Sequence, residues 1–358
     1  MIEEAEVISL DRGRRLPGRG RAQGDKPVAA SAPPERSPDR STRERCQATT
    51  VAGRLCRNRA QANGFCAVHQ PPLPRERIGP FDAESVRRML EFARRRITGE
   101  YEVDDLGFDR ELTEQVLLPL VRPLYDRYWR AEWIGLENVP LNGPALLVAN
   151  HAGTVAVDAV VMKFGLLDKH PAHRHVRLLA ADLVFRLPFI SAVARKMGNT
   201  LACEEDTFRL LRAGEVVGVF PEGFKGVGKG WRNRYRLQRF GRGGFVQAAL
   251  RARVPIVPAA IVGSEEIYPM IYDARALARL AGLPYFPVTP FFPLLGPLGL
   301  IPLPSKWVVE FGDPIHTDGF DEDAWQDAMQ VFELTDRVRD TIQQMLHRNL
   351  MKRKNAFL

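Results

Sequence analysis

Cysteine is scarce. Four in 358 residues are too few for a disulfide scaffold, and a reducing, intracellular compartment is expected. Uninterrupted apolar runs are missing too. The most apolar stretch, 282–307 (GLPYFPVTPFFPLLGPLGLIPLPSKW), carries prolines at 284, 287, 290, 293, 297, 302 and 304. Each removes an amide donor and blocks an α-helix, so this run cannot span a bilayer; it can line an apolar groove or lie in the interface. The opening MIEEAEVISLDRGRR has charge but no apolar core, so no secretory signal is expected. What remains is ordinary: 45% hydrophobic and 26% charged residues exclude a collagen-like chain and wholesale disorder.

Positive charge is concentrated at one end. Residues 1–80 hold 15 Lys and Arg against 9 acids, whereas the other 278 hold 36 against 34. The basic balance therefore belongs mostly to the N-terminal part, and nucleic acid is not an expected partner of the main body.

Residues 1–44, rich in Arg, Gly, Pro and Ser, read as a disordered basic tail. A small Cys/His module fills 45–70, and 71–80 is a proline-punctuated linker. The globular pattern runs over 81–353. Asp82 is placed to cap an Arg-rich helix to about residue 98, and an amphipathic helix kinked by Pro119 and Pro123 is predicted over 110–130. Strands are then predicted near 132–137, 145–149, 177–181, 216–220, 256–262 and 307–311. Helices fall near 157–166, 205–213, 243–252, 273–281 and 323–350. Alternation of this kind implies an α/β sheet flanked by helices.

Three segments carry chemistry. Asn150, His151, Gly153, Thr154 and Asp158 follow the strand ALLVA and precede an apolar helix, where α/β sheets place their sites. A general base needs a carboxylate to fix its tautomer. On one continuous helix seven residues rise about 10.5 Å, so the pair meets only if 151–156 form a loop and Asp158 sits in the first helical turn. The alternative is a strand cap and a helix cap with no contact. Next, Phe220-Pro221-Glu222-Gly223 turns off the strand VVGV, bringing Glu222 to the same crevice. Lys225, Lys229, Arg232, Arg234, Arg236, Arg239 and Arg242 follow among glycines with no acid between them. That pattern suits a phosphate ester, or else a solvated basic face. The third segment, Val254-Pro255-Ile256-Val257-Pro258, predicts a strand at a sheet edge or beside a bulge.

In that order, Asn-His with a following Asp, Phe-Pro-Glu-Gly and Val-Pro-Ile-Val-Pro resemble the PlsC-like glycerolipid acyltransferases over about residues 130–310. The resemblance implies a glycerol-phosphate-acyltransferase-like sheet, with His151 as the base that deprotonates an acceptor hydroxyl and Asp158 as its orienter. It places Asn150, Gly153, Thr154, Glu222, Gly223, Lys225 and Arg232 at the substrate and Pro258 in the apolar wall. Acyl-CoA or acyl carrier protein is the implied donor, a lysophospholipid such as lysophosphatidic acid the acceptor, and the inner face of the cell membrane the place of work. No cofactor is implied for catalysis. Two departures stand. The family's first motif has four residues between His and Asp where this chain has six, and the stretch 198–206, where an Arg is usual, ends in acids. A neutral acceptor such as diacylglycerol, or a lipid-binding relative without turnover, stays open.

Cys46, Cys56, Cys66 and His69 are spaced C-x9-C-x9-C-x2-H. Soft ligands gathered in so short a segment suit a closed structural Zn²⁺ site, which would supply the folding energy that a missing core cannot. A redox-sensitive tail or chance clustering is the other reading. The segment also resembles a small Cys/His module of bacterial and phage proteins. Lys169-His170-Pro171-Ala172-His173-Arg174-His175 reads as an exposed loop able to take a metal adventitiously.

Overall fold

The computed structural model describes residues 83–241 and 243–357. The tail, the Cys/His module with Cys46, Cys56, Cys66 and His69, the linker, Asp82 and Arg242 lie outside the described residues.

Among the described residues, nine strands follow in order: β1 (Glu132–Ile134), β2 (Ala145–Ala149), β3 (Val176–Ala180), β4 (Thr200–Leu201), β5 (Val216–Val219), β6 (Ile256–Val262), β7 (Tyr272–Asp273), β8 (Pro287–Val288) and β9 (Val308–Phe311). Seven make one sheet in the order β1-β9-β6-β2-β5-β3-β4, while β7 and β8 form a separate hairpin. The centre is parallel: β2 pairs with β5 and β6, and β3 with β5 and β4. β9 runs antiparallel to β6 and carries β1 parallel beside it.

β2 reads ALLVA and β6 IVPAAIV, and every residue of both is buried, as expected of strands covered on both faces. Side chains alternate across the sheet. Leu146 and Val148 enter one core with the helices Glu204–Arg212, Gly244–Ala252 and Ala328–Lys352. Ala145, Leu147 and Ala149 enter the other with the helix Val157–Lys169 and the segment 110–128.

One expectation needs adjustment and one alternative is decided. Over 110–128 the chain does not form one kinked α-helix. It alternates α turns (Arg110–Leu112, Leu118–Pro123) with π turns (Thr113–Leu117, Leu124–Tyr128). The wider turns sit beside Pro119 and Pro123, where amide donors are missing. For β6, of the two alternatives expected, an edge or a bulge, it is the bulge that is found. Between the Ile256–Ile315 bridge and the Ala259–Phe311 pair, three steps along β6 stand against four along its partner. This is a bulge that leaves Pro258 no lost ladder bond to replace.

Candidate active site

β2, β5 and β6 run parallel, so their carboxyl ends open onto one edge of the sheet. Residues 150, 220 and 263 leave the sheet there.

His151 and Asp158 meet. The Nδ1 of His151 lies 2.9 Å from Asp158 Oδ2, and an ionised carboxylate can only accept, so Nδ1 carries the proton. Residues 151–156 are loop, and the helix Val157–Lys169 places Asp158 in its first turn. Asp158 is fully buried, and its oxygens also accept from the amides of Ala152 (2.7 Å) and Ala159 (2.8 Å). From inside the first helical turn it takes the free Ala159 amide and orients the imidazole at once. Gly153 has φ +95°, and a Cβ there would stand 2.6 Å from the Ser264 carbonyl oxygen, so only glycine fits. The Phe220 ring lies 4.6 Å, centroid to centroid, from the imidazole. With Nδ1 engaged and the side chain 12% exposed, Nε2 is the ring nitrogen that the contact with Asp158 leaves open.

Glu222 comes to the same place in a different role. It is buried beneath the dyad, accepting from the His151 amide (2.9 Å) and from the Gln238 amide (2.6 Å). Lys229 reaches inward between Glu222 (3.4 Å) and Glu265 (3.1 Å), with all three side chains at most 5% exposed. Glu265 also accepts from the Tyr235 amide at 2.8 Å. Burial pushes the Glu265 carboxyl up to about 7 against the pull of Lys229. The trio ties the turn after β5, the basic loop and the loop after β6 under His151. Gly226 lets that loop close: a Cβ would meet Glu222 Cβ and the His151 carbonyl oxygen, each at 2.7 Å.

Asn150 is equally structural in its contacts. Its amide exchanges two bonds with the Ile261 backbone, accepting at 2.7 Å and donating at 3.0 Å, and so continues the β2–β6 ladder one residue further. Gly223 turns at φ +53°. Pro258 packs inside the core against Gly312 and Met345, away from the site. Lys225 and Arg232 are exposed. Gln238 and Glu265 escaped the sequence reading, and Lys229, expected among the loop cations facing a phosphate or solvent, turns inward instead.

The histidine loop differs from its expectation. His170 and His175 are buried, and each histidine has its own partner: Val139 O for His170, Leu167 O for His173 and Glu114 for His175. Among the described residues no group of three His, Cys, Asp or Glu is placed to hold a metal. Cys203 is half-buried, and burial raises its thiol.

The family model described as Acyltransferase matches residues 130–262. An uncharacterised protein of Mycobacterium tuberculosis is 55% identical over 275 residues, covering 77% of this chain and 77% of its own length. The human protein named DGAT1/2-independent enzyme synthesizing storage lipids is 27% identical over 186 residues, 51% of this chain and 53% of that one. Among solved structures, the 1-acyl-sn-glycerophosphate acyltransferase PlsC from Thermotoga maritima aligns with a TM-score of 0.43 at 18% identity. That alignment covers 69% of this chain and 85% of the other.

Proposed function

We propose that the chain, whose residues 130–262 match the family model described as Acyltransferase, is a PlsC-like enzyme that moves a fatty acyl group from a thioester donor, acyl-CoA or acyl carrier protein, to a glycerolipid hydroxyl. The observation that carries this is the 2.9 Å contact between His151 Nδ1 and the buried Asp158, which leaves Nε2 at the rim. Nε2 takes the proton of the acceptor hydroxyl as its oxygen attacks the thioester carbonyl. Asp158 stabilises the imidazolium without taking its proton. The C–S bond then breaks, the leaving thiolate regains that proton from Nε2, and an ester remains.

A lysophospholipid such as lysophosphatidic acid is the acceptor we favour, with Lys225 and Arg232, exposed on the basic loop, meeting its phosphate. A neutral acceptor such as diacylglycerol is the second reading. It is favoured by the inward turn of Lys229, which removes one cation from the phosphate side, and by the storage-lipid relative.

No helix among the described residues is long and apolar enough to cross a membrane. Contact with the inner face of the membrane is proposed instead through exposed apolar side chains. Trp307 lies wholly in the core, but Phe291, Leu294, Leu298 and Ile301 are exposed, as is Leu120. For Cys46, Cys56, Cys66 and His69 we propose structural zinc, read by elemental analysis of the purified full chain.

The deciding assay is thiol release from acyl-CoA or acyl carrier protein by the purified protein. Lysophosphatidic acid, other lysophospholipids and diacylglycerol are offered in turn, beside His151→Ala. Acceptor-dependent release that vanishes in the variant supports the reading and names the acceptor. No release with any donor and acceptor overturns it in favour of lipid binding without turnover.

A further inference from the structure

Six residues separate His151 from Asp158, and the loop between them adopts a backbone that a side chain resists. Thr154 sits at φ +65°, in the left-handed region that favours glycine. Three hydrogen bonds hold it there. Its amide donates to the Val227 carbonyl at 3.2 Å, its hydroxyl donates to the Tyr268 carbonyl at 3.0 Å, and its carbonyl accepts from the Tyr285 hydroxyl at 2.5 Å. The first partner is in the basic loop, and the other two lie beyond residue 262, outside the span that matches the family model.

Tyr285 is placed for this by its surroundings. Its ring presses on Gly228, where a Cβ would stand 2.9 Å from the ring carbon Cδ1. Burial, with the Asp158 charge close by, pushes its phenol up to about 12, so it remains a donor throughout the neutral range. Without that bond the Thr154 carbonyl loses its Tyr285 partner, and the left-handed turn loses its restraint on that side. Relaxing the turn would change the path from His151 to the first helical turn, which is what brings Asp158 within reach.

We propose that Tyr285 is a positioning residue for the acyl transfer: its hydroxyl clamps the loop 151–156 in the one turn that sets His151 against Asp158. This rests on the acyl-transfer reading above. It adds a residue from the proline-rich apolar segment to the working parts of the site, so the segment that carries the exposed leucines is also bonded to the catalytic loop.

The test is Tyr285→Phe in the full chain, which keeps the ring on Gly228 and removes only the hydroxyl. Tyr272→Phe is the control, its ring 67% exposed on β7. Two quantities are read: steady-state acyl transfer, and the tautomer of His151 by nitrogen NMR of histidine-labelled protein. The proposal expects kcat to fall about 10- to 100-fold with the acceptor KM nearly unchanged, and the Nδ1–H form of His151 to give way to a tautomer mixture. The Tyr272 variant should move neither. Thr154→Val, which cuts the Tyr268 bond to the same turn, should shift the tautomer in the same direction and serves if Tyr285→Phe does not fold. Wild-type kcat overturns the proposal, and so does a fallen kcat with an unaltered His151 spectrum. If the wild-type protein turns over no acceptor, the acyl-transfer reading fails separately. The spectrum then still decides whether Tyr285 sets the dyad, an unaltered one overturning that role.

Discussion

The molecule holds two histidine–carboxylate pairs of nearly the same length, one at the sheet's open edge and one on its far side. His151 meets Asp158 at 2.9 Å, and His175 meets Glu114 at 2.7 Å. Their burial is reversed. In the first pair the acid is wholly covered and the imidazole reaches the surface. In the second the imidazole is covered and the acid is 44% exposed. The buried ring of His175 stands edge-on to Phe108, its Nδ1 has no hydrogen-bond partner among the described residues, and burial holds its pKa below the usual value despite Glu114. A base must meet a substrate proton, whereas its orienter must be shielded to hold one geometry. Contact between a histidine and an acid therefore says little until it is known which partner faces out.

The largest effect should come from exchanging the imidazoles. His151→Ala is expected to lower kcat by about 10³-fold or more, with His175→Ala within about threefold of wild type. Thermal denaturation should show the opposite order, the His175 variant losing more stability. Comparable losses of kcat in both variants would break the comparison.

The acids come next. Asp158→Asn should cost roughly 10²- to 10⁴-fold in kcat, because the neutral amide cannot stabilise the imidazolium. Glu114→Gln should leave the rate intact and change stability by at most about 1 kcal/mol in urea titration, as expected for a half-exposed pair.

Lys229→Met probes the support beneath the outward-facing pair. Removing the cation leaves Glu222 and Glu265 buried together, and a loss of about 3–5 kcal/mol of stability is expected. Double substitution of Lys229 and Glu265 by Met and Gln should recover part of it, and failure to recover would show that the trio does not act as a unit.

The covered side has a pH signature of its own. Lys163, wholly buried between Val176 O and Asn199, has its ammonium pKa pushed down to about 7 by burial and by Arg177. The folded protein releases this proton near pH 7, while the unfolded chain keeps it to about pH 10.4. In that window the unfolded state binds more protons, so stability rises with pH, by up to about 1.4 kcal/mol per unit. Wild type should therefore gain stability from pH 7 to 8.5 relative to Lys163→Met. A parallel response in the two proteins would assign the trend elsewhere.

The smallest effect is expected from Arg232→Ala. Its side chain is exposed, so KM should rise a few-fold for a phosphate-bearing acceptor and stay constant for diacylglycerol. A uniform change across acceptors would remove Arg232 from the phosphate.

Much of the open edge could be read from the chain before any coordinates. The runs ALLVA and IVPAAIV gave the two central strands, and the helix rise dictated that His151 and Asp158 could meet only across a loop. Local chemistry carried those inferences. Where it failed, the partner was distant. Glu222 looked like a substrate ligand because its acceptors' donors, the amides of His151 and Gln238, lie 71 and 16 residues away. Lys229 looked solvated because Glu265 is 36 residues further on. Gly226 was one glycine among several of the basic loop, but its close neighbours are the His151 backbone and Glu222. Pro258 left edge and bulge open because the bulge that accommodates it lies on the opposite strand, around residues 312–314.

Strand order also governs when this site can come into being. β2 leaves the ribosome long before β6, whose register pairs Leu146 with Ile256, and β1 waits longer still for β9, Glu132 lying beside Val308. Non-local pairings of this kind form slowly, since chain must be closed into large loops before any contact rewards it. His151 and Asp158 are near neighbours in sequence, yet their support at Glu222 and the Ile261 ladder arrives only with later strands. During synthesis the nascent chain therefore carries both residues of the dyad before the segments that hold them in place, and its apolar β2 stays without its β6 partner until translation reaches residue 256.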